Sequence, residues 1–217
     1  MVIIMKILFQ GDSITDVGRN AGSGSLTPIG QGYALLCAAT LGAKYPMQFT
    51  FENRGISGNR IVDVYARIKV DGWNLSPDVF SILIGVNDVW HEFGNQNGVD
   101  AERFYRVYKM LVTDTMEQLP HIQMILMEPF VLNCGATAEH WDIFRGETEK
   151  RAEAVKQIAS ECGQIFLPLQ KMLDDACGIA PASYWLGDGV HPTTAGHKLI
   201  ADQWIKTFEE KILIPHT

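Results

Sequence analysis

The stretch Asp78-Val79-Phe80-Ser81-Ile82-Leu83-Ile84-Gly85-Val86-Asn87-Asp88 decides the fold. Its first seven residues are nearly all apolar. A strand with one wet face alternates apolar and polar residues, so an unbroken apolar run suits a central parallel strand covered on both faces. The run breaks at Gly85 into polar side chains. Toward the N-terminus, Met5-Lys6-Ile7-Leu8-Phe9 follows the same plan and breaks into Gly11-Asp12-Ser13-Ile14-Thr15. That reads as a strand over residues 7–10 and a tight turn presenting the Ser13 hydroxyl.

Strand and helix signals alternate outward from these two runs. Strands are expected over residues 7–10, 49–53, 78–84, 124–130 and 165–169. Helices are expected over 32–41, 60–69, 100–119, 145–162 and 194–211, with Pro120 and Gly163 as stop signals. Such alternation implies a parallel sheet with helices on both faces and right-handed crossovers. No repeat, low-complexity tract or linker interrupts it, so residues 1–217 read as one domain.

In an open α/β sheet, ligands bind beyond the carboxyl ends of the strands. The loops 53–59, 85–88 and Asp188-Gly189-Val190-His191-Pro192 are expected at that edge with Ser13. A serine there becomes a nucleophile when a base lies within reach. Ser13, Asp188 and His191 occur in the order Ser…Asp…His of a catalytic triad. Three residues make one turn, so Asp188 and His191 can leave the same side of the backbone. Asp188 then accepts from one imidazole nitrogen while the other faces Ser13.

GDSIT at 11–15, the glycine of Ile56-Ser57-Gly58-Asn59, GVND at 85–88 and DGVHP at 188–192 resemble the four blocks of the SGNH (GDSL) hydrolases. They stand in that family's order and span nearly the whole chain. The ISGN and GVNDVW wording is most similar to its acetylxylan-esterase branch. The resemblance implies an α/β chain with a three-layer flavodoxin-like fold and a five-stranded, mainly parallel sheet. It implies Ser13 as nucleophile, His191 as base and Asp188 as its orienting carboxylate. The implied oxyanion hole is the backbone N–H of Ser13, that of Gly58 and the side-chain amide of Asn87. A Cβ at position 58 is expected to obstruct close approach of the backbone to substrate. A neutral amide at position 87 donates without a charge that must be desolvated.

The implied activity is two-step acyl transfer that removes short acyl groups, mainly acetyl, from xylo-oligosaccharides or related sugars. No cofactor and no metal are implied, and assemblies among relatives make a homo-oligomer a further expectation. Trp90, His91, Tyr184 and Trp185 flank the blocks and are the candidate substrate contacts, with Trp141 in the loop after the fourth strand. Aromatic rings there either stack on sugars or pack the loops onto the body. Residues 20–30 and 132–144 are expected to shape the acyl and alcohol pockets.

Other readings of the same residues were weighed. A serine after a strand often caps a helix, and an Asn often bonds its own loop. Asp12 and Asp88 are expected to bond loop backbone, and His197 to be structural or surface-facing; His121, His140 and His216 carry no signal. Asp12, Asp16, Asp88 and His191 could be imagined as metal ligands, but no HExxH or paired cysteines accompany them. Phosphoryl transfer lacks a loop ending in Gly-Lys-Ser/Thr. A lysophospholipase or thioesterase of the same family would need an apolar channel, and no long apolar loop supplies one. A non-catalytic module would be expected to lack one of the catalytic residue types.

Composition bounds the partners. With 18 basic and 25 acidic residues the net charge is −7, and no basic cluster points to nucleic acid. The apolar runs fall far short of the roughly 20 residues of a membrane span. Val2-Ile3-Ile4-Met5 is too short for an export signal and is interrupted by Lys6, so the expected location is the cytoplasm. Cys37, Cys134, Cys162 and Cys177 form no CxxC pair and read as free thiols of a reducing compartment.

Overall fold

The strands are β1 Met5–Gly11, β2 Phe49–Asn53, β3 Val79–Leu83, β4 Gln123–Met127 and β5 Ile165–Leu167. The helices are α1 Ser13–Asp16, α2 Tyr33–Lys44, α3 Ile61–Asp71, α4 Val86–Asn95, α5 Ala101–Gln118, α6 Trp141–Glu161, α7 Gln170–Ala176, α8 Ala182–Trp185 and α9 Thr194–Phe208. These come from a computed structural model that describes residues 4–20, 22, 25 and 27–213. Val2, Ile3, His216 and positions 21, 23, 24 and 26 of the 20–30 stretch lie outside the described residues.

The sheet order is β2-β1-β3-β4-β5, and every pairing is parallel. Alternation along each strand feeds two cores. Ile7, Phe9, Val79, Leu83, Ile125 and Met127 pack with α2 and α9, whereas Leu8, Phe80, Ile82, Met124 and Leu126 pack with α3, α5 and the later turns of α6. Burial on both faces explains the unbroken apolar run of β3. Its one polar residue is satisfied, because the Trp204 indole N–H donates to Ser81 Oγ at 2.8 Å. No helix among the described residues is long and apolar enough to cross a membrane.

Several boundaries differ from the sequence reading. β4 stops at Met127 instead of residue 130, because β5 offers partners only to Ile125, Leu126 and Met127. α6 begins at Trp141, four residues earlier than expected, with Asp142 favourably placed in its first turn. α7 and α8 fill the stretch before the last helix. The largest difference is α4, which grows out of the GVND segment read as a loop. Val86, Val89 and Phe93, at i, i+3 and i+7, are its apolar stripe.

The strand order reverses between β1 and β3, the place where open α/β sheets bind ligands. Ser13 follows β1 and Asn87 follows β3, so the topology sets them on either side of that crevice.

His197 is buried inside this frame at 4% exposure, so it is structural rather than surface-facing. Its Nδ1 accepts the Tyr33 N–H at 3.1 Å, which places the ring proton on Nε2, a buried atom with no partner among the described residues. Burial, aided by the charge of His191, holds its pKa down at about 4. In the unfolded chain histidine protonates near 6.5. The neutral ring therefore contributes stability in full above pH 6.5, and that contribution is lost as pH falls toward 4. His197→Asn keeps an acceptor for Tyr33 and removes the titration. Over that window wild type should lose on the order of 3 kcal/mol relative to the variant, read from denaturant midpoints of both proteins. A difference constant with pH would mean the buried ring accepts its proton freely.

Candidate active site

Gly11 ends β1, and its Cα sits against β3 so closely that a Cβ would lie 2.3 Å from the Leu83 carbonyl oxygen. Only glycine permits this approach. The chain then turns at once into α1, whose first residue is Ser13. Asp12 caps the turn by accepting the Ile14 N–H at 3.0 Å. Burial raises the pKa of this carboxyl to about 7, and its second oxygen has no partner among the described residues. Asp12 thus builds the turn, as expected, and carries no bond to Ser13 or His191.

Ser13 Oγ lies 2.8 Å from His191 Nε2, and His191 Nδ1 lies 2.7 Å from Asp188 Oδ2. The other Asp188 oxygen accepts the backbone N–H of Val190 at 3.0 Å and of His191 at 2.8 Å. One carboxylate therefore fixes both the turn that carries the histidine and the orientation of its ring. Burial alone would raise the Asp188 pKa, but the His191 N–H, its imidazole and the Val190 N–H hold it below the ordinary value. The two side chains meet through a pinched loop rather than the single turn inferred from their spacing. Leu186 and Pro192 pair antiparallel across its neck, and Gly187 N–H donates to the His191 carbonyl at 2.9 Å. The His191 side chain is 40% exposed, so water and substrate can reach it.

The loop after β2 is clamped at both ends. The Asn53 amide donates to the Thr15 and Ile29 carbonyls at 2.7 and 2.8 Å, and its oxygen accepts Gly55 N–H at 2.9 Å. Arg19 donates to the Gly55 carbonyl, while Asp16 accepts both the Ser57 N–H and hydroxyl, at 3.0 and 2.7 Å. The other Asp16 oxygen lies 3.4 Å from the Arg19 guanidinium. At the far end Asn87 Nδ2 donates to the Asn59 carbonyl at 3.1 Å, and the buried Asp88 accepts Ile61 N–H. Burial lifts the Asp88 pKa to about 7. Between the clamps stands Gly58, with φ +82° and open space where a Cβ would be. The left-handed backbone itself favours glycine at this position.

Neither the Ser13 N–H nor the Gly58 N–H meets an acceptor among the described residues. Asn87 has one amide hydrogen left after its bond to Asn59. These groups share a cleft of about 380 Å³ lined by Ser13, Gly58, Asn87, Trp90, His91, Gly94, Asn95 and His191. An electron-rich oxygen in the cleft would find unpaired donors already held in place, and a hydroxyl already bonded to a base.

Trp90 and His91 line the cleft, whereas Tyr184 and Trp185 are not among its lining residues. The Trp185 indole N–H turns inward to the Ala176 and Ala180 carbonyls at 3.0 and 3.2 Å. Tyr184 packs edge-on against that ring and is 55% exposed. Trp141 sits under Arg145 at the start of α6. Asp16, Arg19 and Asn53 were missed as loop clamps; the polar cluster at the end of β2 was their only signal. Among the described residues no group of three or more His, Cys, Asp or Glu side chains could hold a metal ion.

Comparisons with known proteins agree with this geometry. Residues 9–199 match the GDSL-like lipase/acylhydrolase family. The chain is 34% identical over 208 residues to an acetylxylan esterase of Geobacillus stearothermophilus, covering 93% of this chain and 92% of that protein. A solved protein of Parabacteroides merdae ATCC 43184, designated a GDSL-like lipase, superposes with a TM-score of 0.91 at 37% identity, covering 97% of this chain and 98% of that one. Axe2, an acetylxylan esterase from Geobacillus stearothermophilus, is solved as catalytic mutants with an aspartate or a serine changed to alanine. Both superpose with a TM-score of 0.83, at 32% and 33% identity, covering 95% of each chain.

Proposed function

The chain belongs to the GDSL-like lipase/acylhydrolase family and is a carboxylic ester hydrolase, and from that premise we propose that it removes acetyl groups from short sugar chains such as acetylated xylo-oligosaccharides. Ser13 attacks the ester carbonyl carbon while His191 Nε2 takes the hydroxyl proton. The carbonyl oxygen becomes an oxyanion held by the N–H groups of Ser13 and Gly58 and by the free Asn87 amide hydrogen. Asp188 keeps the imidazole in the tautomer that accepts at Nε2, and stabilises its positive charge. His191 then gives the proton to the departing sugar oxygen, leaving acetyl on Ser13. Water enters over the open side of His191, loses a proton to the same nitrogen and bonds to the acetyl carbon; the Oγ–acyl bond then breaks as His191 returns the proton to Ser13, and acetate leaves. Catalytic serine and aspartate mutants of Axe2 support the assignment of Ser13 and Asp188.

The observation that carries the acyl preference is the wall of the cleft. Its lining mixes polar groups with limited apolar surface, and Trp90 is its one large apolar side chain. Each methylene of a longer chain gains about 0.8 kcal/mol only if it reaches an apolar wall. A cavity of about 410 Å³ walled by Val89, Phe93, Val99 and Ile143 is the more apolar space nearby, but it includes neither Ser13 nor His191. The four free thiols suit a reducing compartment, where imported oligosaccharides rather than polymeric xylan are the substrate.

The test is a series of p-nitrophenyl esters from acetyl to octanoyl, followed by acetate release from acetylated xylo-oligosaccharides. kcat/KM should fall steadily beyond acetyl, and the oligosaccharides should release acetate. Preference for octanoyl would assign the chain instead to the lipid side of the family.

A further inference from the structure

Helix α4 offers the cleft a single stripe: Asn87, Trp90 and Gly94 stand at i, i+3 and i+7, with His91 beside them. The helix that places the amide of Asn87 thereby places the indole of Trp90. That ring meets the imidazole of His191, with centroids 5.8 Å apart and planes tilted by 46°. Its other side is braced. Phe144, 1% exposed, abuts Trp90 edge-to-face at 6.0 Å, and Phe93 stacks on Phe144 at 5.4 Å. Trp90 is half-buried, wedged between the histidine and this aromatic pair. The ring that lines the cleft is thus also packed against two protein rings, one of them the catalytic imidazole.

Resting on the esterase reading above, we propose that Trp90 is a positioning residue for His191 rather than a sugar contact. It acts in two ways. Its bulk stops the imidazole from swinging off the line between Asp188 Oδ2 and Ser13 Oγ, bonds of 2.7 and 2.8 Å. Its π-face lies within the roughly 6 Å range at which an aromatic ring attracts a cation. That attraction appears only after the Ser13 proton reaches Nε2 and the ring is charged. It therefore favours the transition state over the resting enzyme, so its loss falls on kcat and spares KM.

The experiment compares Trp90→Leu and Trp90→Phe with wild type on p-nitrophenyl acetate, which has no sugar, and on acetylated xylo-oligosaccharide. Rates are taken per active site, counted by complete reaction with a fluorophosphonate, so misfolded protein does not enter. Leu fills apolar space without a π-face; Phe restores the face. Trp90→Leu should lower kcat about tenfold on both substrates with KM within about twofold, and Trp90→Phe should stay within about threefold of wild type. A raised KM on the oligosaccharide with kcat on p-nitrophenyl acetate intact would make Trp90 a sugar platform and overturn the proposal. Unchanged kcat on both substrates, or equal losses in Leu and Phe, would overturn it too. If wild type hydrolysed p-nitrophenyl acetate but no sugar ester, the substrate reading would fail, while the p-nitrophenyl acetate arm would still decide Trp90.

Discussion

Ser13→Ala should abolish turnover while leaving the fold intact. The Ser13 hydroxyl makes one side-chain hydrogen bond, to His191 Nε2, so its removal leaves no buried polar group without a partner except the half-exposed imidazole itself. The cap of α1 belongs to Asp12 and survives. The loss in kcat should be roughly 10⁴–10⁶-fold, the range seen when a triad nucleophile is removed. It should not reach the uncatalysed rate, because the oxyanion donors and the binding cleft remain. Two measurements check this: p-nitrophenol release from the acetate ester, and mass spectrometry after rapid acid quench. Wild type should show an acetyl adduct on Ser13 and the variant none. Wild-type rates in Ser13→Ala would remove the serine from the chemistry and leave a mechanism in which His191 activates water directly.

The residues whose chemistry is local were readable from the chain. Three of the blocks join a strand end to a residue type with a job (a hydroxyl, a flexible glycine, an amide), and the fourth sets an Asp-His pair in the loop between α8 and α9. Hydropathy alone identified β3 as central, because burial on two faces leaves no alternation to misread. What stayed hidden depends on pairings made far along the chain. Trp185 stands three residues before Asp188, yet its indole is claimed by carbonyls of Ala176 and Ala180, so proximity in sequence said nothing about the direction of its ring. The Asp188–His191 contact was foreseen, but not the Leu186–Pro192 bridge that makes it. Glycine at 58 was expected from close approach to substrate; its positive φ, a second reason for glycine, leaves no mark in hydropathy. α4 was legible in its Val86, Val89 and Phe93 stripe but masked by the Gly and Asn residues at both of its ends. The clamps Asp16, Arg19 and Asn53 hold backbone across loops, and only the assembled turns reveal them.

Asn87→Ala should cripple the enzyme by roughly 10²–10³-fold in kcat, as loss of a single oxyanion donor does in other hydrolases. Two effects are combined in that number, because Asn87 Nδ2 also holds the Asn59 carbonyl at 3.1 Å, next to the Gly58 turn. Asn87→Asp separates them from simple truncation. The carboxylate keeps the size of the amide but offers no N–H, and it faces the Asn59 carbonyl and the incoming oxyanion with negative charge. If the amide acts by donating, Asp should be as damaging as Ala or worse. If Asn87 only fills space beneath the loop, Asp should restore much of the activity that Ala loses. The split between constants carries a second distinction. The carbonyl oxygen takes up full negative charge only in the transition state, so a donor aimed at it leaves KM within a few-fold and takes its toll on kcat. A loop that had come loose would instead disturb the binding cleft that Gly58 and Asn87 share with Trp90 and His91, and KM would rise with the fall in kcat. Steady-state kinetics of both variants on p-nitrophenyl acetate should therefore show kcat falling in each, deepest in Asp, with KM nearly level. Recovery of activity in Asn87→Asp would remove Asn87 from the oxyanion hole and leave Ser13 and Gly58 as its donors.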